Sequence, residues 1–382
     1  MTSGVWLYPG DLTDQPGLAE LVRESVVDTV CVAAAYHSLL ACRPGRSAAA
    51  MVQFPATAIY FTPDDRLWRD QVLWPTVSPT IAGGHDVLAA GGTFARAAGT
   101  SLTAWLVCLH DDDLVRTRPD LAVRAATGDV LLGAPCLRAP EVRGYAVTLV
   151  RDAAARADAV QLESLHWLPQ PHARHSKIDG AAPRLSRLLT SVCFCPRCAA
   201  AAHHRGLDAG AVADQMVQRW AAAWDGLAAD DPDAVPGLAR YLQIRAEAVT
   251  TLIAEVVQQA SVPVEVLAFG DPQLTGLSPA AAEAGGASVR ISAYGTAGRV
   301  SSLLDDARRA ADRAAALHVG LSILPEHAPD LADAVQAARS AAAAGAHSIR
   351  LYHLGLASDR RRRWLPSVIQ AWSEATRSGA SR

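Results

Sequence analysis

Three features of the 382-residue sequence predict a (β/α)8 barrel in one domain spanning 1–382. Eight short apolar runs alternate with helical or loop segments, which is the order of a parallel sheet covered by helices. No Gly-x-Gly-x-x-Gly follows an early strand, which disfavours the alternative of a doubly wound open sheet. Polar and aromatic residues gather just after several apolar runs, where α/β folds bind ligands.

The apolar runs define the predicted strands and leave room for helices between them. The strands are Val5 to Tyr8, Thr29 to Tyr36, Leu102 to Leu109, Ala159 to Glu163, Val264 to Phe269, Ser288 to Tyr294, Val319 to Leu324 and Ser348 to Leu354. Helices are predicted at Leu18 to Val26, Asp86 to Ala98, Pro140 to about Arg156, and after Arg363 to about Thr376. A proline such as Pro140 suits the first turn of a helix.

Two insertions interrupt the alternation. The segment of about 37–84, after the second strand, is rich in proline and is predicted to be loop with at most short strands. Its aromatic residues favour an ordered flap over a disordered linker. The segment of about 168–260, after the fourth strand, is predicted to be a helical insertion with a loop at Ala228 to Pro236.

Composition limits the classes of function. The formal net charge is −3, from 35 basic and 38 acidic residues, so no global field favours nucleic acid or an anionic membrane as a partner. The amino terminus lacks the charged start and apolar core of a secretory signal, so we expect a cytoplasmic protein. The substrate is expected to be a small molecule or an oligosaccharide. The sequence does not indicate an oligomeric state.

The stretch around Glu163 is the strongest candidate site. Residues alternate along the fourth strand, so that Val160 and Leu162 face the helices while Gln161 and Glu163 face the barrel interior. Glu163 then lies near the carboxyl end of the strand. Titratable and aromatic residues follow it closely, at His166, Trp167, His172, His175 and Lys177. A second acid, Glu326, follows the seventh strand.

These positions resemble a known family of enzymes. Acids after strands four and seven are similar to those of the retaining glycoside hydrolases of clan A. The run from Ala139 to Tyr145, followed by a helix and Asp158 to Glu163, resembles the NPEVRxY…GIxLD pattern of uncharacterised glycoside-hydrolase-like barrels. Tyr36-His37 and Cys-Phe-Cys-Pro-Arg-Cys also look like that group. Two positions depart from these resemblances: Ala139 replaces the Asn of the pattern, and Leu162 stands where clan A enzymes have Asn before the acid.

The resemblance implies a glycosidase with two carboxylates. Glu163 would be the acid/base and Glu326 the nucleophile, about 5–5.5 Å apart for a retaining mechanism. No cofactor is required for this chemistry. The residues expected to bind the sugar are His37, His110, His166, Trp167, Tyr294 and Tyr352.

Other interpretations of the same residues remain open. Glu163 could be a structural acid paired with Arg290 or Arg350, and Glu326 could simply open a helix. A metal-dependent barrel enzyme, such as a sugar isomerase or hydrolase, would use Glu163, His166, His110 and Asp271 around one divalent ion. A barrel that binds carbohydrate without catalysis is the third alternative.

The cysteines form a separate candidate site. Cys193, Cys195 and Cys198 resemble the C-x-C-x-x-C zinc cluster that follows the catalytic acid in one β-galactosidase family. Structural zinc takes four ligands, so Cys136, Cys108 or a histidine such as His203 is needed to complete the tetrahedron. The alternative is a reduced turn that leads into a helix at Ala199.

Overall fold

The computed structural model describes residues 1–13, 17–44, 51–79, 86–169, 184–268, 270–310 and 316–379. The strands in these ranges are β1 Thr2–Leu7, β2 Thr29–Tyr36, β3 Leu39–Cys42, β4 Met51–Phe54, β5 Ala58–Ile59, β6 Ser101–Val107, β7 Ala122–Arg124, β8 Val130–Pro135, β9 Ala159–Glu163, β10 Val264–Ala268, β11 Ser288–Ser292, β12 Leu317–Ser322 and β13 Ser348–Tyr352.

Eight parallel strands close into a barrel. Their order is β1, β2, β6, β9, β10, β11, β12 and β13, and β1 pairs in parallel with both β2 and β13. The architecture is therefore a (β/α)8 barrel, as the sequence predicts. Each of the eight predicted apolar runs overlaps one barrel strand: β2 and β9 have the predicted ends, and the ends of the other six differ by a few residues.

The helices cover the outside of the barrel and build the insertions. They are α1 Leu18–Glu24, α2 Asp65–Trp68, α3 Val87–Ala98, α4 Asp112–Thr117, α5 Pro140–Ala154, α6 Arg184–Leu189, α7 Pro196–His204, α8 Ala209–Trp224, α9 Leu238–Gln259, α10 Pro272–Thr275, α11 Pro279–Ala284, α12 Ala297–Ala310, α13 Leu331–Ala343, α14 Asp359–Arg362 and α15 Leu365–Gly379. In the described ranges, no helix is long and apolar enough to cross a membrane.

Local sequence explains where these helices begin. The side chain of Asp86 accepts hydrogen bonds from the backbone amides of Leu88 and Ala89, which caps α3. Helix α5 begins at Pro140, because proline has no amide proton to leave unsatisfied in the first turn. Both starts agree with the sequence prediction.

Three insertions lie on the connections that follow the carboxyl ends of the strands. After β2, the strands β3 and β4 form an antiparallel hairpin, and β5 adds to the edge of β2. After β6, the strands β7 and β8 form a second hairpin, which the sequence did not predict. After β9, helices α6 to α9 enclose a small hydrophobic cluster of their own, centred on fully buried residues such as Leu185 and Met216.

The lower part of the barrel interior is a network of buried charges. Arg290 donates two hydrogen bonds to the two oxygens of Glu265, each at 2.8 Å, and Arg350 donates another at 2.8 Å. Gln161 donates to the same carboxylate. Burial acts to raise the pKa of Glu265, but the charges of the two arginines outweigh it and hold that pKa well below its usual range.

Trp6 separates this charged layer from the upper end of the barrel. Its indole nitrogen donates to Gln161, and the guanidinium groups of Arg290 and Arg350 lie 5.9 and 5.4 Å from its ring centroid. Gly320 on β12 makes room for it, because a Cβ at that position would lie 2.9 Å from the Trp6 ring. The interior is therefore filled below the carboxyl ends of the strands.

Candidate functional site

Glu163 ends β9 and lies at the carboxyl end of the barrel. Its side chain is partly buried, and its carboxylate oxygen Oε2 accepts a hydrogen bond of 2.8 Å from the indole nitrogen of Trp105 on β6. Burial raises the pKa of Glu163 to about 7, and the hydrogen bond from Trp105 acts in the opposite direction. The next residue, Ser164, has a φ of 57°, so the chain turns sharply just after the acid.

Three tyrosine hydroxyl groups meet near this carboxylate. The hydroxyl of Tyr8 lies 3.2 Å from that of Tyr36 and 3.4 Å from that of Tyr352. Burial raises the pKa of all three, and the charge of Glu163 adds to the increase at Tyr36 and Tyr352. The hydroxyls therefore stay protonated near neutral pH and can donate or accept hydrogen bonds.

Aromatic rings form the wall around these groups. Tyr36 packs edge-on against Trp105, with centroids 4.9 Å apart. Tyr294 stacks on Tyr352 at 5.2 Å. His37 stacks on Tyr36 at 4.7 Å and on His110 at 4.2 Å. Trp105 lies two residues before the end of β6 and the other residues end or follow a barrel strand, so the rings line the end of the barrel where barrel enzymes bind their substrates.

Glu163 does not pair with the arginines of the interior. Arg290 and Arg350 bind Glu265, which lies opposite Gln161 in the register of β9 and β10 and therefore deeper in the barrel than Glu163. The interpretation of Glu163 as the partner of Arg290 or Arg350 is therefore wrong. Its carboxylate remains available at the upper end of the barrel.

The other predicted residues differ in position. His37, Tyr294 and Tyr352 are partly exposed at the carboxyl end of the barrel. Trp167 is fully buried beneath the guanidinium of Arg245, and so has no surface for a sugar ring in this structure. His166 is also buried, and its Nδ1 lies 2.9 Å from the carbonyl oxygen of Trp167.

The second carboxylate is less enclosed than the first. Glu326 follows β12 in a turn, its side chain is 60% exposed, and it lies 3.8 Å from the ring of His327. His172, His175 and Lys177 lie outside the described residues.

The proposed ligands of a catalytic metal do not come together. Among the described residues, the cluster of three or more histidine, cysteine or acidic groups with ligand atoms close together is the cysteine cluster. Asp271 caps the short helix α10 by accepting a hydrogen bond from the amide of Gln273. The set of Glu163, His166, His110 and Asp271 is therefore not assembled in this structure.

Four cysteines form a compact buried cluster beside the barrel. The sulfur atoms of Cys136, Cys193, Cys195 and Cys198 all lie within 4.8 Å of one another. Two of the sulfur separations, from Cys136 to Cys195 and to Cys198, are 3.6 Å. Cys136 follows β8 and therefore joins the second hairpin to the loop before α7. Of the three candidates for the fourth position, the structure brings Cys136 to the cluster.

Sequence reasoning missed two residues of the upper site. Tyr8 and Tyr36 were not predicted as site residues, although each stands at the end of an early strand. A polar aromatic residue at the carboxyl end of a barrel strand is the signal that could have identified them.

Comparisons with known proteins give fold similarity alone. No protein-family model matches the sequence, and no curated protein matches it. Among solved structures, a hypothetical protein from Ruminiclostridium thermocellum ATCC 27405 is 14% identical with a TM-score of 0.32, over 43% of this chain and 77% of that one. The spore cortex-lytic enzyme SleL of Bacillus megaterium QM B1551 is 9% identical with a TM-score of 0.44, over 97% and 73%. The catalytic domain of psychrophilic chitinase B from Arthrobacter TAD20 is 9% identical with a TM-score of 0.37, over 98% and 96%.

Proposed function

We propose that the protein is a glycoside hydrolase that uses Glu163 as its catalytic acid and base. The observation that carries this proposal is the environment of the Glu163 carboxyl group, which is partly buried among aromatic rings at the end of the fourth barrel strand. Burial raises its pKa to about 7. A group that must hold a proton in one step and accept one in the next works best with a pKa near the operating pH.

Glu326 is the proposed nucleophile. Burial raises the pKa of Tyr352, and the charges of both Glu163 and Glu326 raise it further, so both carboxylates act on the same hydroxyl. Tyr294 stacks on Tyr352 and its ring lies 5.4 Å from that of His327, the neighbour of Glu326. These contacts connect the loop of Glu326 to the wall of the site.

The proposed reaction has two steps. In the first, Glu163 gives its proton to the glycosidic oxygen, the bond from that oxygen to the anomeric carbon breaks, and the Glu326 carboxylate bonds to the anomeric carbon. In the second, water attacks the anomeric carbon, its proton passes to Glu163, and the bond to Glu326 breaks. The products are the free sugar and the alcohol, and both carboxyl groups return to their initial states.

We also propose that the four cysteines bind one structural zinc ion. A tetrahedral zinc ion with bonds of about 2.3 Å needs sulfur atoms about 3.8 Å apart. The two separations of 3.6 Å from Cys136, and the limit of 4.8 Å on all the others, fit that requirement. Four thiolates leave no open position for substrate, so the ion would have a structural role.

A screen of nitrophenyl glycosides with the purified protein tests the hydrolase. We expect release of nitrophenol from at least one glycoside, and a lower kcat for that substrate in Glu163→Ala, because this variant lacks the base of the second step. Binding of sugars without turnover across a broad panel would contradict the proposal and favour a carbohydrate-binding barrel. Activity that is abolished by mild chelation and restored by manganese would favour a metal-dependent enzyme instead.

A further inference from the structure

Arg245 on α9 is a buried cation beside the cysteine cluster. It is 3% exposed, and its guanidinium lies 4.8 Å from the centroid of the Trp167 ring. It donates hydrogen bonds to the carbonyl oxygens of Ser191 at 2.8 Å, Gln273 at 3.1 Å and Leu274 at 2.7 Å. Its contacts therefore join the loop that leads to the cysteines with the loops after β9 and β10.

The charge of Arg245 has no carboxylate to balance it among the described residues. Its hydrogen bonds go to carbonyl oxygens, and no described acid forms an ion pair with it. A buried charge without a counter-ion is strongly unfavourable, because the surrounding protein does not replace the solvation that the charge loses. The cysteine cluster is the neighbouring group that can supply a negative charge, because Arg245 donates to the carbonyl oxygen of Ser191, two residues before Cys193.

The same face of α9 holds the loop that carries Cys193. Tyr241, one turn before Arg245, donates from its hydroxyl to the carbonyl oxygen of Cys193 at 2.7 Å. Its ring stacks on Phe194 with centroids 4.6 Å apart. The backbone amide of Arg124 lies 3.4 Å from the sulfur of Cys193 and donates to it. Amide donation to sulfur stabilises the thiolate form.

The net charge of a metal-loaded cluster matches this environment. A divalent ion with four thiolates carries 2 − 4 = −2, whereas four neutral thiols carry no charge. A buried arginine beside neutral thiols would lack a counter-ion, and one beside a doubly negative centre has a partner.

We propose that Arg245 is the counter-cation of a divalent metal–tetrathiolate centre, and that it fastens the loops after β9 and β10 to that centre. The inference rests on the proposed zinc site and concerns a residue outside the set of ligands. Arg245 acts as a positioning residue: its positive charge stabilises the bound form of the metal, and its carbonyl contacts make the loops sensitive to metal loss.

The test is the affinity of the holoprotein and its variants for zinc, measured by competition with a chromogenic chelator. Arg245→Met keeps an unbranched chain and removes the charge. We expect its dissociation constant to rise about 10–100-fold, the usual cost of losing a group that supports metal ligands. If Arg245→Met does not fold, Arg245→Gln serves instead, because it keeps amide donors for the carbonyls and also removes the charge.

Arg361 provides a matched control. Its guanidinium lies 4.5 Å from the centroid of the Trp364 ring, and it also donates to three carbonyl oxygens, of Ile323, Ala328 and Pro329, which follow β12 and not the strands that lead to the cysteines. Arg361→Met should leave the zinc dissociation constant unchanged.

The outcomes separate the two proposals. Wild-type protein that contains no metal and binds none would contradict the zinc site itself. Wild-type protein with about one zinc, together with unchanged affinity in Arg245→Met or Arg245→Gln, would overturn the role of Arg245 and leave the zinc site standing. Equal loss of affinity in Arg361→Met would also overturn it, because the effect would then be one of general stability.

Discussion

The indole nitrogen of Trp105 donates a hydrogen bond of 2.8 Å to Oε2 of Glu163. The two residues lie on neighbouring strands, where Trp105 is level with Gln161, two residues before Glu163. The hydrogen bond fixes the orientation of the carboxyl group, and it stabilises the ionised form against the effect of burial. Trp105 therefore determines how far the pKa of Glu163 rises.

Trp105→Phe should move the pH dependence of turnover. The first step needs protonated Glu163, so the rate falls as the pH rises through its pKa of about 7. Loss of the donor destabilises the carboxylate and raises that pKa. The falling limb of kcat/KM should then shift to higher pH by about 1–2 units, since a hydrogen bond to a charged group contributes about 1.5–3 kcal/mol and one pKa unit equals about 1.4 kcal/mol.

Trp74→Phe is the control for this measurement, because Trp74 is 49% exposed on the flap after β2. Its pH profile should match that of the wild type. If the falling limb of the kcat/KM profile of Trp105→Phe stays at the wild-type pH, or moves to lower pH, the hydrogen bond from Trp105 does not set the pKa of Glu163.

The sequence predicted the barrel because the spacing of apolar residues along a strand or a helix is a local property of the chain. Alternation along β9 was enough to direct Gln161 and Glu163 inward, and the register agrees, since Gln161 contacts Trp6 and Glu265 inside the barrel. The depth of each inward residue depends on the stagger between strands, which no local pattern contains. For that reason Arg290 and Arg350 were considered as partners of Glu163, whereas their partner is Glu265.

The cysteine cluster was also predictable only in part, because its local spacing is visible in the sequence and its distant ligand is not. The spacing of Cys193, Cys195 and Cys198 indicated a metal site from the sequence, because three ligands lie within one turn and the start of a helix. The fourth ligand depended on which distant segment packs against that turn. Cys136 reaches it because β8 belongs to a hairpin that was not predicted. Cys108 instead lies beside the acid, where its amide donates to the carbonyl oxygen of Glu163.

Glu265→Gln should destabilise the fold strongly at neutral pH. The change leaves Arg290 and Arg350 buried without their shared anion, which costs about 3–5 kcal/mol in comparable cases. The pKa of Glu265 is depressed in the folded protein, so its contribution is complete above the pKa of the unfolded chain, about 4.3, and is lost as the pH falls below that value.

Urea unfolding at pH 7 and near pH 3 measures this prediction. The difference in unfolding free energy between wild type and Glu265→Gln should be large at pH 7 and smaller at pH 3. Glu255→Gln is the control, because Glu255 is 43% exposed in its pair with Arg143 and should contribute less than about 1 kcal/mol. A difference that is the same at both pH values would contradict the assignment of the effect to ionised Glu265.

Cys195→Ser should lower the thermal stability of the protein by several kcal/mol, because the binding of a structural metal is part of the folding free energy. A strong chelator should lower the Tm of the wild type and have little further effect on the variant. Cys42→Ser is the matched control, since Cys42 is exposed and outside the cluster. Identical melting of the wild type with and without the chelator would rule out a structural metal.

The two carboxylates should respond differently to the same substitution. Glu163→Gln removes the proton donor, so turnover of glycosides with poor leaving groups should fall by about 10²–10⁴-fold, while dinitrophenyl glycosides, whose leaving group needs no proton, should be spared in the first step. Glu326→Gln removes the nucleophile and should abolish turnover of both kinds of substrate. Values of kcat/KM on the two leaving groups report the first step and distinguish these patterns, and Glu283→Gln, an exposed acid on α11, should match the wild type. Full activity in Glu326→Gln would remove Glu326 from the mechanism without affecting the role of Glu163. Equal loss of kcat/KM on both leaving groups in Glu163→Gln would instead contradict its assignment as the acid, because a missing proton donor must slow the first step more when the leaving group is poor.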